Sequence, residues 1–165
     1  MRNTGEQDKF ISIRKHIYSM DEIKQLLKHI NLFRGLSEDQ LDQVALLTRP
    51  ESYDRDAVIF EQNDSGDKMY IVQSGQVEVQ VKDRAGGLNS VLILGEGQIF
   101  GEMALLDHGA RSASVVALQP NTRLYTISRD DFKELCQQDT GIGYVMMRNI
   151  ALDLSFKIRH QNSFS

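Results

Sequence analysis

The chain has 165 residues and a mass of 18.8 kDa. At about 150 residues per domain this is one domain with room for a short arm. Hydrophobic residues are 41% and charged residues 25%, mean hydropathy is −0.36, and no apolar run approaches the ~20 residues needed to span a bilayer. The 19 Lys+Arg against 23 Asp+Glu give a net charge of −4. This argues against a dedicated nucleic-acid binder, which carries a basic face. It leaves room for a small anion held by one or two buried charges. Cys136 is the single cysteine, so an internal disulfide and a CxxC pair are excluded and a reducing cytoplasm is the expected compartment. The stretch Met1-Arg2-Asn3-Thr4-Gly5-Glu6 has no apolar core and does not read as a signal peptide.

Residues 1–9 are polar and read as a disordered arm, and residues 10–48 read as helical. Ser19-Met20-Asp21-Glu22 has the spacing of a capping box, in which serine and glutamate side chains satisfy orphan amides at a helix start. Ile23, Leu26, Leu27 and Ile30 then recur at helical spacing. Phe33 and Leu36 flank a turn at Gly35, and Ser37-Glu38-Asp39-Gln40 is a second capping box before Leu41, Val44, Ala45 and Leu47. Pro50 predicts the end of that helix, because the residue before a proline avoids the α region.

From Asp54 to Ser128 the apolar period becomes two. Strands are predicted at Ala57–Phe60, Met69–Val72, Val77–Val81, Val91–Leu94, Ile99–Phe100, Ala113–Ala117 and Arg123–Ile127. Turn residues separate them at Asn63-Asp64-Ser65-Gly66, Ser74-Gly75, Gly86-Gly87, Gly95-Glu96-Gly97 and Gln119-Pro120-Asn121. Many short, evenly spaced strands predict a mostly β fold, a small antiparallel barrel or jelly roll. Beyond it, Ser128-Arg129-Asp130-Asp131 reads as a helix start with Phe132 and Leu135 on its apolar face. A break at Thr140 or Gly141 precedes a helix from about Ile142 to Arg159, with Val145, Met146, Ile150, Leu154 and Ile158 on one stripe.

The alternation fails once, between Gly97 and Val115. Glu102-Met103-Ala104-Leu105-Leu106 is too helix-prone for a strand and too short for a full helix, so it reads as one helical turn between strands. Amides at the start of such a turn attract anions. Gly101 before it permits close backbone approach, and Arg111 follows at the next strand. A guanidinium holds a phosphate bidentately, which lysine does not. Glu102 can accept a hydrogen bond from a ligand hydroxyl. Together these residues describe a pocket for a phosphorylated sugar.

Phe100-Gly101-Glu102-Met103-Ala104-Leu105-Leu106, followed after four residues by Arg111-Ser112-Ala113-Ser114-Val115, resembles the phosphate-binding cassette (100–115) of the cyclic-nucleotide-binding domain family. Leu32-Phe33-Arg34-Gly35-Leu36-Ser37 resembles that family's helical entry, and Met69 to Val79 its central hairpin. The resemblance covers about residues 30–160. It implies a double-stranded β-helix, or jelly roll, over 54–128, flanked by an N-terminal arm and helices over 1–53 and C-terminal helices over 129–165. It implies that Arg111 pairs with the cyclic phosphate, that Glu102 accepts the ribose 2′-hydroxyl and that Gly101 leaves room for the sugar. Amides near Met103 and Ala104 and at Ser112 and Ala113 would complete the cradle, and Val79 and Val91 would line the base pocket. Arg148, Leu152 and Phe156 are candidates for the residue that closes the pocket from the last helix. Gln98 stands where the family often carries Asp.

Taken singly, Glu102 and Arg111 are ordinary turn and strand-end charges, and their spacing in context is what carries the ligand reading. His16, His29, His108 and His160 are scattered, which argues against a metal site built on histidines. Cys136 has no histidine placed to activate it and reads as an inert thiol. Lys9, Arg14, Lys15 and His16 read as a solvated arm, and Lys157, Arg159 and His160 as a helix end whose cations suit the dipole.

The expectation is a non-enzymatic receptor for a cyclic nucleotide, cAMP in preference to cGMP, with no metal. The chain ends at Ser165, too soon for the helix-turn-helix that transcription-factor relatives append. The expected output is therefore a protein partner, or self-association through the last helix, driven by movement of the C-terminal helices. The alternative is an interaction module with a vestigial pocket.

Overall fold

The computed structural model describes residues 4–161. They divide into two compact units, one within Leu47–Tyr144 and one within Met1–Leu46 and Val145–Ser165. The first unit holds eight strands: β1 (Arg49–Tyr53), β2 (Val58–Phe60), β3 (Lys68–Ser74), β4 (Val77–Lys82), β5 (Leu88–Leu94), β6 (Ile99–Phe100), β7 (Ser114–Ala117) and β8 (Thr122–Ser128). They form two antiparallel four-stranded sheets, ordered β1-β8-β3-β6 and β2-β7-β4-β5, a jelly-roll arrangement. Tyr70, Val72, Phe100 and Leu124 from the first sheet meet Val77, Leu94 and Val115 from the second in one buried cluster. Each such side chain contributes about 1.5–3 kcal/mol by leaving water.

All seven predicted strands are present. The strand the sequence hid is β1, which pairs with β8 from Arg49↔Thr126 to Tyr53↔Thr122. The preceding helix does end ahead of Pro50, at Leu47, but Pro50 itself lies within this strand. β1 is the edge of its sheet, and an edge is where a strand tolerates a residue without an amide proton. The β region thus starts five residues before Asp54.

In the helical unit, α1 spans Thr4–Lys28 and α2 spans Glu38–Leu47, with a 3-10 turn at Asn31–Phe33 between them. The helix already runs at Thr4, which corrects the disordered arm expected over residues 1–9; residues 1–3 lie outside the described chain. α1 also passes straight through Ser19, so Ser19-Met20-Asp21-Glu22 is helix interior rather than a cap. No glycine or proline lies between Glu6 and Lys28 to interrupt it. The second box forms as expected. The Gln40 amide donates to Ser37 Oγ at 3.2 Å and the Ser37 amide to Gln40 Oε1 at 3.0 Å.

α3 (Arg129–Gln138) starts at Ser128, whose hydroxyl accepts from the Asp131 amide at 3.1 Å. α4 (Thr140–Gln161) begins earlier than predicted, because Asp139 caps it: Oδ1 accepts from the Gly141 and Ile142 amides at 2.9 and 3.2 Å. The predicted stripe on α4 is buried at Met146 and Ile150 but exposed at Ile158. Asn149 Nδ2 donates to the Leu32 and Arg34 carbonyls, at 2.8 and 2.9 Å, which ties α4 to the segment before α2.

Candidate functional site

The segment between β6 and β7 is irregular because its backbone turns sharply at Gly101. This residue adopts the left-handed region, φ 69°, ψ 16°, where a side chain is strained. The helix-prone run after it closes as a single 3-10 turn, Glu102–Leu105. The Ala104 amide donates to the Gly101 carbonyl at 3.2 Å and the Leu106 amide to the Met103 carbonyl at 3.0 Å. Ala104 and Leu105 are buried, Glu102 is half-buried and Met103 is 49% exposed. The turn packs on β3 and on α3.

Arg111 is the chemical centre of the site. It is 8% exposed, and its backbone clasps the Asn63–Gly66 loop in both directions. Its amide donates to the Asp64 carbonyl at 2.7 Å and its carbonyl accepts from the Asn63 amide at 2.8 Å. Nη2 donates to the Lys68 carbonyl at 2.7 Å and Nη1 to the Gly101 carbonyl at 3.3 Å. Cζ lies 4.1 Å from the Phe60 ring centroid, a cation–π contact. Beneath it Tyr70 and Phe100 stack at 4.8 Å with planes 2° apart. Nε is buried and has no hydrogen-bond partner.

Burial is the largest influence on the Arg111 pKa and lowers it, with Tyr70, Asp67 and Asp64 acting the other way. A guanidinium nonetheless stays charged. The site therefore holds a cation drawn out of water, anchored by two carbonyls, with a donor unspent. That combination is costly unless an anion completes it.

Two glycines make the space. A Cβ at Gly101 would stand 2.6 Å from Arg111 Nη1. A Cβ at Gly66 would stand 3.0 Å from both Cζ and Nε of Arg111 and 3.3 Å from Ala104 Cβ. Lys68, whose carbonyl holds Nη2, is itself fixed by an ion pair with Glu51 at 2.5 Å. Glu51 also accepts from Tyr53 Oη at 2.5 Å.

Among the sequence-predicted residues, Gly101, Ala104 and Arg111 come together directly. Glu102 and Met103 share the 3-10 turn with Ala104. Ser112, exposed, and Ala113, half-buried, lead from Arg111 into β7. Val79 packs against the inter-sheet cluster. Val91 is the extra residue of a β-bulge between β4 and β5 and is 61% exposed; the residue opposite Val79 is Leu92. Arg148, Leu152 and Phe156 are all exposed on α4. Sequence reading missed Gly66, Phe60 and the Lys68 carbonyl. Only Gly66 carried a signal, as a glycine in a turn. Among the described residues no group of three His, Cys, Asp or Glu side chains is placed to hold a metal ion. Among the described residues no helix is long and apolar enough to cross a membrane.

The sequence matches the cyclic nucleotide-binding domain family over residues 50–139. The Cyclic AMP receptor protein of Thermus thermophilus is 36% identical over 112 residues, 68% of this chain and 51% of that protein. A cGMP-dependent protein kinase of Caenorhabditis briggsae is 31% identical over 115 residues, 69% of this chain and 15% of the kinase. The regulatory domain of Toxoplasma gondii PKA, solved with cAMP, superposes with a TM-score of 0.65 at 28% identity, covering 70% of this chain and 44% of that one. The chain thus spans about half the length of the Thermus relative and a small part of the kinase.

Proposed function

The chain belongs to the cyclic nucleotide-binding domain family, and on that premise we propose that it is a cyclic-nucleotide receptor that binds cAMP in preference to cGMP. The observation that carries the reading is Arg111: a buried guanidinium whose Nε is unpaired, cradled by two glycines, in want of an anion. The residues fit a cyclic phosphate. Arg111 would hold it through Nε, Gly101 would leave space for the sugar, and Glu102 would accept the 2′-hydroxyl. Amides of Met103, Ser112 and Ala113 would complete the cradle; that of Ala104 is already committed to Gly101. Val79 would face the base, whereas Val91, set apart on the bulge, is the weaker candidate. The preference for cAMP is supported by the greater identity to the Thermus cAMP receptor than to the cGMP-dependent kinase.

The function is binding and signalling in the cytoplasm, without catalysis, metal or direct nucleic-acid contact by this chain. Capture of the phosphate draws the 3-10 turn inward. Leu105, buried in that turn, carries the motion to α3, against which the turn packs. α4 follows through the Asp139 cap. Leu106 is 41% exposed and is the weaker relay. The output is association with a protein partner or with a second copy. The exposed apolar side chains of α4, Leu152, Phe156 and Ile158, support such an output.

Calorimetric titration with cAMP, cGMP and non-cyclic AMP tests this. A ligand of about 22 heavy atoms at ~0.3–0.4 kcal/mol per atom binds in the low micromolar range or tighter. The expected order is cAMP tighter than cGMP, with AMP far weaker. No heat with either cyclic nucleotide leaves an interaction module with a vestigial pocket.

A further inference from the structure

Arg129 is the first residue of α3, where the helix dipole disfavours a cation and favours the Asp130 and Asp131 that follow. Helix stability therefore gives no reason for an arginine there. Its guanidinium instead turns back and bridges two loops: Nη1 donates to the Gly66 carbonyl at 2.8 Å and to the Asp107 carbonyl at 3.0 Å. Its backbone amide donates to the Asp67 carbonyl at 2.8 Å, which roots the same loop on α3. Nε is buried and without a hydrogen-bond partner, as in Arg111.

Both bridged loops bear on Arg111. Gly66 lies against the Arg111 guanidinium, where an added Cβ would crowd Cζ and Nε at 3.0 Å. Asp107 ends the segment that starts with the 3-10 turn, and its amide donates to the Met103 carbonyl at 3.4 Å. One guanidinium nitrogen on α3 thus holds the loop packed against Arg111 and the exit of the turn.

We propose that Arg129 is a positioning residue: it fixes the two loops around Arg111 for anion capture and makes α3 move with them when the anion binds. It does not touch the ligand. The inference rests on the receptor reading and adds to it a polar link between pocket and helix, beside the apolar packing of Leu105. Lysine is an imperfect replacement, since its ammonium is more strongly hydrated than a guanidinium and resists burial.

The test combines cAMP titration with hydrogen exchange of residues 129–138, with and without cAMP, in wild type, Arg129→Met, Arg129→Lys and Ser128→Ala. Ser128→Ala removes the α3 cap and serves as the purely structural control. Expected for Arg129→Met is a roughly tenfold or greater loss of affinity, together with loss of the ligand-induced slowing of exchange in α3. Arg129→Lys keeps the charge on a more strongly hydrated head and should lose about threefold or more, and it carries the test if the methionine variant does not fold. Ser128→Ala should unfold earlier, yet bind within about twofold of wild type and keep the slowing. Arg129 variants that bind as wild type and keep the slowing overturn the inference alone. So do Arg129 variants that merely match Ser128→Ala. A wild-type chain that binds no cyclic nucleotide overturns the receptor reading itself.

Discussion

The Gly101 carbonyl accepts from Arg111 Nη1 at 3.3 Å, and a Cβ on Gly101 would stand 2.6 Å from that same nitrogen. The contact that orients the guanidinium is therefore also the contact that forbids a side chain. Gly101→Ala adds the left-handed penalty, about 1–2 kcal/mol, and pushes a guanidinium that is packed on Phe60 and cannot retreat freely. The expected result is a fold destabilised by roughly that amount in urea unfolding and cAMP affinity down at least about tenfold. An alanine variant that binds as tightly as wild type would show that Arg111 has space to move.

Arg111→Met separates binding from stability. The wild-type cation is desolvated, with Nε unpaired, and methionine of similar length removes that cost. Against this, the Lys68 and Gly101 carbonyls lose their donor. These effects oppose each other, so stability without ligand should stay within about 1 kcal/mol of wild type. Binding should fall by about 1.5–3 kcal/mol or more, the worth of a charge-assisted bond. Chemical denaturation alongside titration checks both; a collapse of the fold would mean the guanidinium is chiefly structural.

High pH should destabilise this unit through groups that fold into neutral surroundings. Burial pushes the Cys136 thiol up, with Asp139 adding to it. Burial also raises Tyr70 and Tyr53, the latter aided by its bond to Glu51. For each, the folded state holds its proton longer than the unfolded state. Stability is thus intact below the unfolded pKa values, about 8.5 for cysteine and about 10 for tyrosine, and falls as pH rises past them. Unfolding midpoints from pH 7 to 11 should decline, and Cys136→Ser should flatten the first part of the decline. A midpoint that rises across this range contradicts the assignment.

How much of this was legible in the sequence depends on the range of the interaction. Local signals were reliable: Ser37 and Gln40 cap α2 reciprocally, Ser128 caps α3, and the alternating valines of β4 form a strand. The Ser19 box misled because a capping pattern is also compatible with a helix interior, and nothing upstream of it breaks the helix. β1 was invisible because Pro50 is a helix terminator locally, whereas its place at a sheet edge is decided by pairing with β8, more than seventy positions away. The glycine, the 3-10 turn and the arginine of the site lie within eleven residues, so they could be read together. Their support could not. Phe60, Gly66 and the Lys68 carbonyl reach Arg111 only once β2, β3 and the loop between them are folded. The bulge that sets Val91 apart from Val79 is likewise a matter of register.

Thermal unfolding of wild type and Arg111→Met, each with and without cAMP at one concentration of about 100 times the wild-type dissociation constant, tests the central claim most directly. Binding only to the folded state adds about 2.7 kcal/mol, which for a chain of this size raises the wild-type midpoint by roughly 5–10 °C. The account predicts that shift in wild type and a shift cut to about half or less in Arg111→Met. No shift in wild type, or an equal shift in both, would contradict it.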